Sequence, residues 1–444
     1  MLSKTNFHDY QNRVLHQAEK LPHVGLFLEP GLGKTVTALS IIKESSSGRT
    51  LVVAPKRVAE SVWAQECQKW EHLKNLKVVK IMGTPRDRLL ALHGNHDIYI
   101  INVDNLAWLV DNWIPGKFDY LIIDESSRFK DPSTKRFKAL KTVLRSFKRR
   151  IITTGTPTPQ GMGDLWSQVA ILDLGSRLET SLTKFRDKYM HATERNRHTN
   201  VVYKWEVRPG MDKVITDRIS DICFSLKAED YLTLPELTKL HHRIELEPDL
   251  MAKYKTLKKE MVSEIDGQQI TAITAATLVN KLLQFTSGTL YTEDNNRAFA
   301  HSAKIEFLES LVEENSAPTL VFYHYKSALE KLREVFPYAE LLTDDNIERW
   351  RDGKIKMMLA HPQSGGIGLN LQCNVGDVAQ CVWYDLPWSS ENYIQANARI
   401  YRQGQTKPVI IHHLMISKTI DEQVIKVLEG KISLQDALMD SLKI

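Results

Sequence analysis

Glu29-Pro30-Gly31-Leu32-Gly33-Lys34-Thr35 is the stretch on which the reading of this chain turns. Glycines at 31 and 33 let the backbone curl, so that its amides and the start of the helical pattern Val36 to Lys43 face phosphate oxygens. Lys34 would then reach the β and γ phosphates of ATP, and the Thr35 hydroxyl would ligand Mg2+. Leu28 stands where the eight-residue form of such a loop has its first glycine, so this is a shortened version.

Outward from that stretch, short apolar runs alternate with amphipathic ones. Thr50–Ala54, Asp97–Asn102, Tyr120–Asp124 and Arg150–Thr154 read as buried strands with helical patterns between them. The alternation resumes with Thr319–Tyr323, Lys356–Ala360, Cys381–Tyr384 and Val409–Leu414. The fold class is therefore α/β: two doubly wound parallel-sheet domains in tandem. The expected division is 1–235 and 236–444, near Leu234-Pro235-Glu236-Leu237. Residues 165–300 read as mostly helical and polar, with a helical basic insertion near 165–225 and a helical lead-in over 236–300. Terminal helices are expected over 420–444. Ligands of open parallel sheets sit at the carboxyl ends of the strands, and Pro55, Asn102, Asp124 and Gly155 all follow directly after such runs.

Asp124-Glu125 ends one of these runs, 90 residues after Lys34. Asp124 could hold Mg2+, and Glu125 could polarise an attacking water as general base. Thr154-Gly155-Thr156-Pro157 is by itself an ordinary turn; beside the acidic pair it could relay the state of a nucleotide. Gln11 could read an adenine edge or simply lie on the surface. In the second half, Ser364-Gly365-Gly366-Ile367-Gly368-Leu369-Asn370 could approach a phosphate, with Gly368 against the nucleotide. Arg399 and Arg402 lie three apart on an expected helix, hence on one face, where two guanidiniums could stabilise charge on a γ-phosphate. The order of these signals suits an ATP site split between the two domains.

At 444 residues, 42% hydrophobic and 25% charged, the chain has room for a core in each half. It has no apolar run of membrane-spanning length and no signal-peptide pattern at its start. Four scattered cysteines read as reduced thiols of a cytoplasmic protein. The net charge of +5 says little, but from Arg128 to Arg150 ten of 23 residues are Lys or Arg against one acid. Such a run suits either a solvated helix face or a phosphate-backbone footprint.

Taken together, these motifs resemble the Swi/Snf-type branch of helicase superfamily two over nearly the whole chain. Glu29–Thr35 is similar to motif I, Ala54-Pro55-Lys56 to motif Ia, and Asp124-Glu125-Ser126-Ser127 to the Asp-Glu-Ala/Gly-His box. Thr154–Pro157 resembles motif III, Val321–Tyr323 motif IV, Gly365–Leu371 motif V and Gln395–Gln405 motif VI; the last, with Arg-Gln-Gly-Gln, is the specific part. The resemblance implies RecA-like domains and an ATP hydrolase that tracks along double-stranded DNA. It also implies DNA contacts from Pro55, Lys56, Asn102, Lys130, Tyr323, Ser364, Gly365, Asn370 and Trp388. A second basic segment, from Lys184 to Arg208, could add to these. Ser127 departs from the family's histidine. A compact member without chromatin-reading domains resembles bacterial or phage forms: a monomer acting in the bacterial or host cytoplasm, possible replication or repair proteins as partners, and no membrane. A strand-separating or annealing helicase, the motor subunit of a larger DNA-processing complex, and an ATP-switched nucleic-acid clamp are the other readings.

Overall fold

Runs such as Leu51-Val52-Val53 and Leu121-Ile122-Ile123 are apolar at every position, so their strands must be covered on both faces, as in a parallel sheet flanked by helices. The computed structural model describes residues 1–45, 48–159, 161–195, 202–266, 272–291, 297–315, 317–365 and 369–431. It divides into two units, Met1–Leu232 and Thr233–Ile444.

In the first unit, β1 (His23–Leu28), β2 (Thr50–Ala54), β3 (Val78–Lys80), β4 (Ile98–Asn102), β5 (Tyr120–Asp124) and β6 (Arg149–Thr153) come in chain order. An antiparallel hairpin follows, β7 (Met190–Arg195) with β8 (Val202–Val207), and then β9 (Cys223–Leu226). The sheet runs β3-β4-β2-β5-β6-β1-β9 with every pairing parallel. Asp124 pairs with Thr153, and Ala54 with Asn102, so the ends of these strands share one edge. Leu51, Val53, Ile101, Ile123 and Ile152 lie in one buried core with Leu165 and Val169 of the helix Leu165–Asp173.

The second unit opens with β10 (Leu237–Ile244). A small antiparallel pair, β11 (Thr289–Tyr291) and β12 (Arg297–Phe299), precedes β13 (Thr319–Phe322), β14 (Glu340–Leu341), β15 (Met357–Ala360), β16 (Ala379–Trp383) and β17 (Val409–Ile416). Its parallel sheet has the order β10-β17-β16-β13-β15-β14. Trp383, Phe322 and Met358 anchor its core, with Phe322 and Trp383 stacked at 4.5 Å.

The eight strands expected from sequence are present, two with the expected ends and the others with ends shifted by one or two residues. The mostly helical reading of 165–300 needs correction: besides helices at Leu165–Asp173, Leu182–Tyr189, Met211–Ile219, Pro248–Asp266 and Ala272–Thr286, the segment contributes the β7–β8 hairpin, β9, β10 and the β11–β12 pair. β10 reads as polar because it closes the sheet edge, where Lys239, Leu240, His241 and Arg243 remain exposed. At the C-terminus the helix Ile420–Leu428 is present; residues 432–444 lie outside the described residues. All four cysteines are free and buried.

Candidate active site

Leu28 ends β1, and the chain then turns through Gly31 and Gly33, at φ 95° and 73°, into the helix Lys34–Glu44. Both angles lie in the left-handed region, which glycine enters without steric cost. The backbone thus makes the curl that the sequence demanded, with the first amides of an eleven-residue helix behind it. Lys34 Nζ donates to the Leu28 carbonyl at 2.8 Å, holding the amine over the loop. Gln11 lies against the same turn: a Cβ added to Gly33 would meet Gln11 Nε2 at 2.4 Å. Gln11 is buried, and its Oε1 accepts from the His8 amide at 2.9 Å, which caps the helix Asp9–Ala18.

Asp124 is held at the tip of β5 by three donors. Trp63 Nε1 reaches Oδ2 at 3.0 Å, while Thr153 Oγ1 at 2.8 Å and the Glu125 amide at 3.1 Å reach Oδ1. Such a carboxylate has about four lone-pair sites, so acceptor capacity remains. Glu125 has φ 53°, a conformation that costs a residue with a side chain about 1–2 kcal/mol. Thr154 Oγ1 donates to Glu125 Oε2 at 3.2 Å and accepts from the Thr156 amide at 3.1 Å. Gly155 completes the junction: a Cβ there would meet Pro30 Cδ at 2.8 Å and Lys34 Nζ at 3.4 Å. Lys34, Asp124, Glu125 and Thr154 therefore meet at one edge of one sheet, although 120 positions separate the first from the last.

This donor set fits a Mg2+–nucleoside triphosphate. Two left-handed glycines and a helix start supply amides for phosphate, Lys34 supplies a cation, and Thr156 Oγ1 is buried without a partner among the described residues. Also among the described residues, no group of three or more His, Cys, Asp or Glu side chains could hold a metal by itself. A cation here would rely on Thr35, Asp124 and the oxygens of a bound phosphate.

In the second unit, the segments 369–374 and 397–406 are laced together. Gln372 Nε2 donates to the carbonyls of Arg402 and Gln403 at 2.9 and 3.1 Å, and the Leu371 amide donates to Arg399 O at 3.1 Å. The two arginines do not sit on a helical face. The helix Ser390–Asn397 ends before them, with Trp383 Nε1 donating to Asn397 Oδ1 at 3.0 Å. Gly404 then turns the chain at φ 93° against Gln372. Arg399 and Arg402 project from successive turns and are both half-buried.

Among the other expected contact residues, Lys56 is exposed, and Lys130, Asn370 and Trp388 are half-buried. Pro55, Asn102 and Tyr323 are buried, Tyr323 with its ring edge-on to His361 at 5.9 Å. The backbone of Ser364 and Gly365 ends the short helix Pro362–Gly365, and Gly368 lies outside the described residues. Trp63, Thr153, Gln168 and Gln372 position the motif residues, and no sequence pattern marked them. No helix among the described residues is long and apolar enough to cross a membrane.

The chain is similar to known proteins over most of its length. The SNF2-related domain model matches residues 11–289, and the helicase conserved C-terminal domain model matches 303–404. A phage protein, "putative protein p41" of Acyrthosiphon pisum secondary endosymbiont phage 1, is 34% identical over 98% of both chains. The SWI/SNF-related subfamily A-like protein 1 of Xenopus laevis is 26% identical over 90% of this chain and 41% of its own length. The DNA repair and recombination protein RAD54B of Gallus gallus is 24% identical over 94% of this chain and 51% of its own. The chain thus spans nearly all of the phage relative and about half or less of the two animal ones. The chain belongs to the SNF2-related family of helicase-like ATPases.

Proposed function

We propose that this protein is an ATP hydrolase, stimulated by double-stranded DNA, that moves along the duplex and acts in replication, repair or the remodelling of protein–DNA complexes. The observation that carries the reading is the convergence of Lys34, Asp124, Glu125 and Thr154 at one sheet edge. A binding-only switch would not need a carboxylate held in a strained conformation next to the phosphate cradle. Membership in a family that includes a protein named for DNA repair and recombination supports the choice of DNA.

In this mechanism the loop amides and Lys34 bind phosphate oxygens, and Gln11, buried against the loop, orients the adenine. Thr35 and Asp124 would hold Mg2+, which when bound neutralises phosphate charge. Glu125 accepts a proton from the attacking water. Arg399 and Arg402 would approach the transferred phosphoryl group from the second unit, where their electrostatic effect is greatest in the transition state. Lys56 and Lys130 would contact the DNA backbone, which gives affinity without sequence preference.

ATP turnover of the purified protein tests this, measured alone and with duplex DNA, single-stranded DNA or RNA at two salt concentrations. Duplex stimulation that weakens with salt is expected, followed by displacement of a third strand from a triplex. Preference for single strands or RNA would replace the proposal with a strand-separating helicase.

A further inference from the structure

Gln168 is a fully buried amide in the largely apolar helix Leu165–Asp173. Burying an amide is costly unless each polar atom finds a partner, and here each does. Ser126 Oγ donates to Gln168 Oε1 at 2.7 Å. Gln168 Nε2 donates to the Pro157 carbonyl at 2.6 Å and the Asp164 carbonyl at 2.9 Å. Two carbonyls can only accept, so the NH2 must face them and the oxygen must face Ser126; the amide has one possible orientation.

Those three partners belong to different parts of the site. Ser126 follows directly on the acidic pair. Pro157 ends the Thr-Gly-Thr-Pro loop, and Asp164 directly precedes the helix that carries Gln168. Thr154 also joins that loop to the acidic pair, through the Glu125 carboxylate itself. A change at Glu125 on binding or hydrolysis alters the Thr154 contact directly, whereas the Gln168 link runs through the backbone that carries Glu125. The family's box ends in histidine where this chain has Ser127, which is buried. The chain therefore has a second buried route out of the acidic pair.

We propose that Gln168 is a positioning residue that couples the Asp124-Glu125 turn to the loop Thr154–Pro157, so that the loop follows the state of the nucleotide. This rests on the reading of the site as an ATP site stimulated by DNA. The amide acts through Ser126 and Pro157 and touches no reacting atom.

Two substitutions cut the bridge on opposite sides. Gln168→Glu keeps an acceptor for Ser126 but sets an oxygen against two carbonyls; Ser126→Ala removes one hydroxyl. Both are expected to lower the ratio of ATP turnover with duplex DNA to turnover without it by about tenfold. Both should also abolish the protection from hydrogen exchange that ATP and Mg2+ confer on the segment 155–164. Thermal melts confirm folding, and Ser126→Ala, the milder change, decides if Gln168→Glu does not fold. An unchanged ratio in a folded variant overturns the proposal. So does protection retained in the variants or missing from the unsubstituted protein. If the unsubstituted protein is not stimulated by DNA, the translocase reading falls, and the exchange result alone decides on the bridge.

Discussion

Asp124 shows how much of a site residue's behaviour is set by side chains far away in sequence. Its Oδ2 is fixed by an indole 61 positions earlier and its Oδ1 by a hydroxyl 29 positions later. Trp63→Phe retains an aromatic ring and removes the N–H donor. The loss of one hydrogen bond to a buried carboxylate is expected to cost about 1–3 kcal/mol in urea denaturation. The Mg2+ concentration for half-maximal ATP turnover should also rise, because the carboxylate can then rotate. At the proposed catalytic positions, Lys34→Ala or Glu125→Gln should abolish turnover while leaving duplex binding in a gel-shift measurement within about twofold. Retained turnover in Glu125→Gln would assign the proton to another group. Lys34 and the acidic pair were legible in the sequence because chemistry dictates their residue types and local order. Trp63, Thr153 and Gln168 were not, since a tryptophan, a threonine and a glutamine carry no such signature until folding sets their distances.

At the scale of elements, the strands legible in the sequence are those buried on both faces, whose centres are continuous apolar runs. β1 carries His23 and Gly25 in a six-residue run, and its identity is clear only from its neighbours. Gly25 is needed there because β9 lies close: a Cβ at 25 would meet Cys223 Sγ at 2.7 Å. Gly25→Ala is expected to destabilise the first unit by about 1–3 kcal/mol through overpacking. Combining it with Cys223→Ala, which removes the clashing sulfur, should recover part of that loss in the same denaturation measurement. β10 carries little strand signal because of its edge position, and the spacing of Arg399 and Arg402 suits a helix although spacing alone cannot show where a helix stops. Asn397 marks that stop through its bond to Trp383, a contact 14 residues back.

For the whole molecule, two units with separate cores imply two unfolding transitions. The second unit has a buried ion pair, Lys304 Nζ to Asp421 Oδ2 at 2.8 Å, with both side chains almost fully enclosed. Thr286 donates to the other Asp421 oxygen at 2.8 Å, and Lys304 also donates to the Tyr384 carbonyl at 3.2 Å. Lys304→Met leaves that carboxylate unpaired and is expected to cost about 3–5 kcal/mol. In calorimetry the second unit's transition should fall while the first unit's stays in place.

Acid should separate the units in the same order. Burial lowers His301 and His412 from the ordinary 6.5 to about 4 and His413 to about 3; in the first unit His23 is lowered to about 4. Above about 6.5 these rings are neutral whether folded or not. As pH falls, the unfolded chain takes up protons first, so stability is lost progressively from about 6.5 down to about 4. Three of these four rings lie in the second unit. Asp385, pushed up by burial, opposes the trend there, because the folded state takes up its proton before the unfolded chain does. Denaturation midpoints followed at pH 7, 6 and 5 should show the larger fall in the second unit.

The close of the first unit has a mechanical consequence. Beyond β9, the Ala228 amide donates to Glu29 Oε2 at 2.8 Å, and Tyr231 packs at 5.1 Å on Tyr10, with Arg13 over its ring. Glu29 opens the phosphate loop, and Tyr10 neighbours Gln11. The chain leaving β9 is thus pinned both to the start of the glycine turn and to the helix that carries Gln11. A pull on the chain at Leu232 would therefore load the turn through Gly31 and Gly33 directly.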